Sequence, residues 1–137
     1  MTHPTNLGRR TLIVGGAAAA VTPAWLNLAH AQNTPIKIGF PVPLTGAFSA
    51  EAQDQVRAAE IAIQEFNDSG GFNGRKAELL VRDDKLNPGE AATRTLELIE
   101  KDKVDFVVGS LSAATQLSIN AVCRDRKIIF NSISQSD

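Results

Sequence analysis

The sequence has 137 residues, with 14 lysines and arginines against 15 aspartates and glutamates, so its formal net charge is −1. It has no basic cluster, and we expect no nucleic-acid partner. Its two histidines, His3 and His30, both fall within residues 1–31, and Cys123 is its single cysteine. The rest of the chain therefore cannot build a Ser–His–Asp or Cys–His nucleophile, nor a zinc site of imidazole and thiolate ligands. We expect no enzymatic activity, no metal and no other cofactor.

Residues 1–31 have the organisation of an export signal peptide. Two arginines at positions 9 and 10 precede an apolar middle, and an Ala-x-Ala ending closes at Ala31, where we expect cleavage. The paired arginines resemble the twin-arginine class of signals. Leu12-Ile13 stands where that class usually has Phe-Leu, so the general secretory route stays open. Either route predicts a periplasmic location.

Two other interpretations of this segment are weaker. Residues 11–28 could anchor the chain in a membrane, but Gly15, Gly16 and Pro23 make them too polar and too short to span it. Residues 12–16 could begin a dinucleotide-binding strand and turn. However, no G-x-G-x-x-G follows them, and Pro23 would interrupt the helix that this motif requires.

After the leader, the apolar pattern alternates between strands and helices. Residues 36–40 predict a first strand, which we expect to stop before Pro41-Val42-Pro43 because proline cannot continue a central strand. A helix over about 49–67 follows, and its apolar face consists of Ala52, Val56, Ala59, Ile63 and Phe66. Glycine-rich residues 70–74 precede a strand rather than a helix, so we do not expect them to bind phosphate.

Residues 77–83 predict the second strand, and Asp83 and Asp84 lie at its end. Adjacent residues on a strand point to opposite faces, so we expect these carboxylates to anchor turns and loops rather than to bind a metal together. The second helix begins with Asn87 as its N-cap and Pro88 at its first position. Its predicted inward residues are Ala91, Thr95, Leu98 and Ile99.

A third strand over 104–108, a third helix over about 112–124 and a fourth strand over 127–131 complete the pattern. In the third helix we expect Leu117, Ala121 and Val122 to point inward. Cys123 should lie on the core side of this helix as a buried, inert thiol.

Strict alternation of strands and helices predicts an α/β fold, a doubly wound parallel sheet of strand order 2-1-3-4 with right-handed crossovers. In this order the direction of winding reverses between strands 1 and 3, and a ligand crevice is expected there at the carboxyl ends of the strands. Three loops should meet at this edge, and all are rich in small hydroxyl and glycine residues: 44–49, 109–113 and 132–137.

The loop after the third strand is the strongest candidate for a ligand site. The hydroxyls of Ser110 and Ser112, with the backbone N–H groups of Ala113 and Ala114 at a helix N-terminus, would suit the carboxylate of a small solute. Ser112 could instead be simply an N-cap. The two roles are compatible, because a cap can share its helix end with a carboxylate.

A resemblance to a known family is carried jointly by several motifs, which are Ile36-Lys37-Ile38-Gly39, Pro43-Leu44-Thr45-Gly46, Gly70-Gly71-Phe72-Asn73-Gly74-Arg75-Lys76, Asp83-Asp84 and Val108-Gly109 to Ser112. Over residues 36–137 the chain resembles the amino-terminal lobe of the type I periplasmic solute-binding proteins, the leucine/isoleucine/valine-binding family. The resemblance implies an extracytoplasmic receptor for an ABC importer, with two lobes closing over an amino acid or amide-like solute. An ABC permease in the inner membrane would be its partner.

The resemblance also implies ligand-binding residues. Carried over by position, the groups that hold the α-carboxylate are Ser112, Ala113, Ser134 and Ser136. The family often packs an aromatic residue on the ligand from the loop after strand 1 or the start of the first helix. Here Glu51 stands at about that position and Phe48 is the nearest aromatic residue, so a preference for branched aliphatic amino acids does not follow.

Members of that family have a second lobe and a hinge, and residues 32–137 resemble the first lobe alone. We therefore expect a truncated lobe that binds amino acids weakly or not at all. An alternative function is a periplasmic ligand-sensing domain of a signalling or regulatory protein, which could use the same lobe. A small flavodoxin-like or phosphoacceptor enzyme would need an acidic cluster at the end of strand 1, where Pro41-Val42-Pro43 stands.

Overall fold

A computed structural model describes residues 34–133. Its elements alternate as predicted, in the order β1 (Ile36–Val42), α1 (Ser49–Asp68), β2 (Ala77–Asp83), α2 (Pro88–Glu100), β3 (Phe106–Gly109), α3 (Ala113–Arg126) and β4 (Ile129–Ser132). The predicted export signal over residues 1–31, with the cleavage point expected there, lies outside the described residues, as do Ser134 and Ser136. Between residues 34 and 133, no helix combines the length and apolar character that crossing a membrane requires.

The strands form one parallel sheet in the order β2-β1-β3-β4, which confirms the predicted topology. β1 pairs with β2 along its whole length, from Ile36 opposite Ala77 to Val42 opposite Asp83. Because the strands are parallel, their carboxyl ends lie along one edge of the sheet. The chain winds in opposite directions from β1 and β3, so the crevice position is at the ends of these two strands.

β1 is longer than the sequence predicts, since it continues through Pro41 to Val42. Pro41 lies opposite Arg82 of β2, whereas the register between β1 and β3 includes only Ile38 and Gly39. The missing N–H of Pro41 therefore interrupts no ladder hydrogen bond, because pairing with β3 has already stopped at this level. The expectation that the strand stops before Pro41 is wrong for this reason, although Pro43 does lie beyond the strand.

The hydrophobic core has two parts, one on each face of the sheet. The part that contacts α2 and α3 is built from Ala91, Leu98, Val104, Val107, Ile119 and Cys123. The part that contacts α1 is built around Phe40, Val42 and Ala52. The predicted inward face of α2 is confirmed, because Ala91, Thr95 and Leu98 are all buried and Ile99 packs against them.

α3 turns a different face to the core from the one predicted. Leu117 is 72% exposed and Ala121 is exposed, so both expectations are wrong, and Val122 is only half-buried. The buried residues of α3 are Thr115, Gln116, Ile119 and Cys123. Two polar residues occupy inward positions because they have hydrogen-bond partners there, which hydrophobic periodicity cannot reveal.

Cys123 is buried as predicted. Burial raises the pKa of its thiol to about 11. The thiolate is the reactive form, so the folded chain keeps this cysteine inert at neutral pH.

Two apolar regions of the described residues face solvent. An open cavity of about 390 Å³ lies between α1 and the sheet, with Ile38, Ile63, Phe66 and Phe106 in its wall. The second lies at β4, the outermost strand next to β3, where Ile129 is 74% exposed.

Candidate functional site

Ser112 is the N-cap of α3. Its backbone is extended, and its Oγ accepts a hydrogen bond of 3.2 Å from the N–H of Thr115. The same Oγ lies 3.2 Å from the hydroxyl of Thr115. The capping role is therefore present, and it fixes where the Ser112 hydroxyl stands at the end of the helix.

The first two N–H groups of α3 remain available beside this cap. Ala113 and Ala114 are exposed, and within residues 34–133 neither of their N–H groups donates a hydrogen bond. No acidic residue stands in the first turn of α3. Unpaired N–H groups and the positive end of the helix dipole are the features that favour an anion at this point.

Ser110 has a different role from the one the sequence predicts. Its side chain is fully buried, and its hydroxyl donates a hydrogen bond of 2.6 Å to Oδ2 of Asp84. Because this hydroxyl is turned inward, it is not presented to a solute. Of the two candidate serines in this loop, Ser112 alone keeps a half-exposed side chain.

The sequence predicts only that Asp84 anchors a turn or loop, and the structure adds that its side chain is fully buried. Its Oδ1 accepts the N–H of Leu86 at 2.8 Å, which forms the turn, and its Oδ2 accepts Ser110. Burial raises the pKa of Asp84 and the neighbouring charge of Asp83 adds to the rise, while the hydrogen bonds from Ser110 and Leu86 oppose it. The predicted anchoring role is confirmed, and the link to Ser110 extends it to a second loop.

Gln116 joins the ends of two neighbouring strands. Its side-chain amide donates to the carbonyl oxygen of Ser110 at 3.0 Å, and its Oε1 accepts the hydroxyl of Ser132 at the end of β4. The loop after β3 therefore meets the carboxyl end of β4 at one edge of the sheet. Ser134 and Ser136 follow Ser132 in the chain but lie outside the described residues.

Asp83 anchors the loop that leaves β1. Its carboxylate accepts the hydroxyl of Thr45 at 2.7 Å and the N–H groups of Leu44 and Lys85 at 3.0 and 2.9 Å. Burial alone would raise the pKa of Asp83, but the hydrogen bonds from Thr45, Lys85 and Leu44 outweigh it and lower the pKa. The third predicted loop is thereby fixed to the end of β2.

Phe48 and Glu51 lie where β1 leads into α1. Phe48 occupies the N-cap position of α1 without a capping hydrogen bond and is 42% exposed, and Glu51 is an exposed acid in the first turn. Their helix begins just beyond the carboxyl end of β1, the strand beside β3. Among the described residues, neither side chain hydrogen-bonds to Ser112 or Ala113.

An open cavity of about 350 Å³ adjoins this edge on the β4 side, and Ala113, Gln116, Leu117 and Ser132 contribute to its wall. No group of three His, Cys, Asp or Glu side chains within the described part of the chain could hold a metal ion. The amide of Asn120 and the ring of Phe130 also line this cavity, which therefore presents apolar as well as polar groups.

Comparison with known proteins agrees with the fold. Residues 35–137 match a family model described as periplasmic binding protein. The chain belongs to this family. Among curated periplasmic binding proteins, a Leu/Ile/Val-binding protein homolog 1 from Brucella abortus is 31% identical over 121 residues, which are 88% of this chain and 31% of the relative.

A second relative of this periplasmic binding protein chain is an amino acid binding protein from Pseudomonas aeruginosa. It is 28% identical over 114 residues, covering 83% of this chain and 30% of the relative. The chain thus spans less than a third of the length of the curated relatives it matches.

A solved structure shows which part is shared. The crystal structure of LivJ, the branched-chain amino acid transporter substrate-binding protein of Streptococcus pneumoniae in complex with isoleucine, matches with a TM-score of 0.71 at 28% identity. The match covers 76% of this chain and 30% of that chain. The predicted fold, the amino-terminal lobe of a type I periplasmic binding protein, is confirmed.

Proposed function

We propose that this chain supplies one lobe of the extracytoplasmic solute-binding component of an ABC importer, and that its solute is an amino acid or a related amide. The observation that carries the proposal is the exposed start of α3. There the N–H groups of Ala113 and Ala114 have no acceptor among the described residues, and the Ser112 hydroxyl stands beside them.

These groups suit a carboxylate better than a neutral or cationic group. The start of a helix carries about half a positive elementary charge, and unpaired N–H groups point along the axis toward an anion. The loop segment Gly109 to Gln116 and the first turn of α3 contain no acidic residue that would compete for this position. A carboxylate bound here would accept from Ala113, Ala114 and the Ser112 hydroxyl.

The remaining proposed contacts come from neighbouring loops. Ser134 and Ser136 follow Ser132, which Gln116 holds beside the loop after β3, so their hydroxyls would reach the carboxylate from the β4 side. From the β1 side, the exposed carboxylate of Glu51 suits a solute ammonium group and the exposed ring of Phe48 suits an apolar side chain.

The relatives support the solute class and the transport role. They include proteins named as Leu/Ile/Val-binding and amino acid binding, and the Streptococcus pneumoniae structure holds isoleucine. By this proposal the whole protein works outside the cytoplasm, reaches that compartment through the signal over residues 1–31, and delivers its solute to an ABC permease in the inner membrane. One lobe provides only part of a closed site, so the sequence leaves weak binding and no binding open. The unpaired groups at the start of α3 favour weak binding, which is part of this proposal.

The test is an amide NMR titration of the purified chain with leucine and, separately, with leucinol, which lacks the carboxylate. We expect the amide signals of Ala113 and Ala114 to shift and to saturate at millimolar leucine, and leucinol to leave them unchanged. Ser112→Ala should weaken the response. The matched control is Ser118→Ala, which removes a hydroxyl one turn further along the same helix that donates to the carbonyl oxygen of Ala114 rather than facing its N–H. This variant should leave the leucine response intact.

Equal shifts with leucinol would contradict the carboxylate assignment, and no response to leucine or to other amino acids would overturn the proposed function. Micromolar binding by calorimetry would show that one lobe suffices and would contradict the weak affinity expected here.

A further inference from the structure

The carboxyl ends of three strands are tied together by side chains that do not themselves face a solute. Asp84 follows β2 and Ser110 follows β3, yet these strands are not neighbours, because β1 lies between them. The hydrogen bond from Ser110 to Asp84 therefore passes over the end of β1, where Val42 accepts the N–H of Asp84 at 3.1 Å. The loop that precedes α3 is therefore hydrogen-bonded to the residue after β2, which is in turn hydrogen-bonded to the end of β1.

From Ser110 the connection continues to the start of α3. The hydroxyl of Thr115, which is fully buried, lies 3.0 Å from the Ser110 hydroxyl and 2.8 Å from the carbonyl oxygen of Ser112. The N–H of Thr115 meets the Ser112 hydroxyl. A displacement of Ser110 would therefore move the Ser112 hydroxyl and the N–H groups that follow it.

Gln116 adds the fourth strand to this connection. It is 9% exposed, and its two amide atoms bond Ser110 on one side and Ser132 on the other. An apolar residue of the same size at this inward position would fill the space but would leave the two loops unconnected. Burying a carboxylate and an amide costs free energy unless their hydrogen bonds are satisfied. Among the described residues, the side chains of Asp84 and Gln116 bond only to groups in the loops after β2 and β3 and at the end of β4.

We propose that Asp84 and Gln116 are positioning residues for solute binding, which hold the Ser112 hydroxyl and the Ala113 and Ala114 N–H groups in place by fixing Ser110 from both sides. This inference rests on the proposed function, because it assigns to these residues an effect on the carboxylate site. It predicts that breaking either link weakens solute binding without any loss of a group that touches the solute.

The test compares apolar and conservative variants of each residue by leucine titration of the full chain. Asp84→Leu and Gln116→Leu should each weaken leucine binding about tenfold, the effect of losing one buried hydrogen-bonded link. Asp84→Asn should retain binding within about threefold, since an amide can either accept from or donate to Ser110. Gln64→Leu, the same amide-to-leucine change at an exposed position of α1 away from this cavity, is the matched control and should bind as the unmodified chain.

A second readout needs no solute. Backbone order parameters of residues 110–113 and 132 should fall in Asp84→Leu and in Gln116→Leu. Those of Ile119 and Cys123, in the core-facing part of α3, should stay unchanged. If Asp84→Leu fails to fold, Ser110→Ala removes the oxygen that bonds both Asp84 and Thr115, and it should weaken leucine binding at least as much.

The outcomes separate the two proposals. Leucine binding unchanged in folded Asp84→Leu (or Ser110→Ala) and in Gln116→Leu would overturn the positioning role and leave the proposed function intact. If the unmodified chain never responds to leucine, the proposed function is overturned, and with it the effect on binding, even where the order parameters fall in Asp84→Leu and Gln116→Leu. Weakened binding in Asp84→Asn as severe as in Asp84→Leu would also count against a hydrogen-bonded link.

Discussion

The hydroxyl of Thr45 donates a 2.7 Å hydrogen bond to Oδ2 of Asp83, which joins the loop after β1 to the end of β2. The next residue, Asp84, turns its carboxylate to the other side and bonds Ser110. Two adjacent carboxylates thus hold two different loops. Their pKa values move in opposite directions, which makes the pair testable by pH.

For Asp83, we expect Asp83→Asn to lower the free energy of unfolding at pH 7 by about 1–2 kcal/mol, because hydrogen bonds to an ionised group are lost. The folded pKa of Asp83 lies below its ordinary value of 3.8. Its contribution is therefore present above pH 3.8 and is lost as the pH falls through the folded pKa. Urea denaturation at several pH values should show the difference between the two proteins shrinking below about pH 4, and a difference that stays constant would contradict the assignment.

For Asp84, the expected dependence has the opposite sign. Its folded pKa lies above the ordinary value of 3.8, so the neutral form is favoured by burial. The stability gained from protonation is fully present below pH 3.8 and is lost as the pH rises through the folded pKa. Relative to Asp84→Asn, the unmodified chain should gain unfolding free energy as the pH falls from 7 to about 4. A trend of the same sign as that of Asp83 would show that Asp84 is not buried in solution.

Substitutions at Ser112 separate its capping role from its proposed contact with the solute. Ser112→Ala should lower the free energy of unfolding by about 1 kcal/mol through loss of the cap, and should weaken leucine binding. Ser112→Asp keeps a good capping acceptor at the positive end of α3, so stability should stay within about 0.5 kcal/mol of the unmodified chain. Its negative charge should abolish the leucine response in the amide titration. Retained binding in Ser112→Asp would exclude a carboxylate at this helix end.

Two neighbouring glycines test the turn between α1 and β2. Gly70 and Gly71 both have positive φ angles, +100° and +69°, but a Cβ on Gly71 would lie 2.1 Å from the carbonyl oxygen of Arg75, whereas none of the described atoms comes within 4 Å of a Cβ on Gly70. Both alanine variants therefore pay the backbone cost, about 1–2 kcal/mol, and only Gly71→Ala adds a steric clash. Chemical denaturation should show a clearly larger loss for Gly71→Ala. Equal losses would contradict the turn geometry.

The fold could be predicted from the sequence because its signals are local and repeated. Apolar runs of strand length alternate with helical periodicity, and Asn87-Pro88 marks the start of α2 as a cap and a first residue. Sheet order then follows from the rules for parallel crossovers. Pro41 led to a wrong strand boundary. Whether a proline interrupts a strand depends on whether the neighbouring strand on the side of its nitrogen still pairs at that level, and the pairing is known only from the assembled sheet.

The site could be predicted only in part, for a related reason. Ser112 stands at a recognisable helix start, so both its position and its cap can be inferred from neighbouring residues. The inward positions of Thr115 and Gln116, and the turn of Ser110 toward Asp84, depend on partners up to 26 positions away in the chain. No periodicity marks a polar residue whose place in the interior is decided by a distant hydrogen-bond partner.

Within residues 34–133 no strand pairs with the outer side of β4, and this affects how the lobe behaves in concentrated solution. An outermost strand with a protruding isoleucine offers its main-chain groups to any similar strand, and Ile129 is 74% exposed there. Concentrated samples should therefore tend toward insoluble material formed strand against strand. Placing lysine at position 129 would raise the solubility limit while leaving the interior untouched.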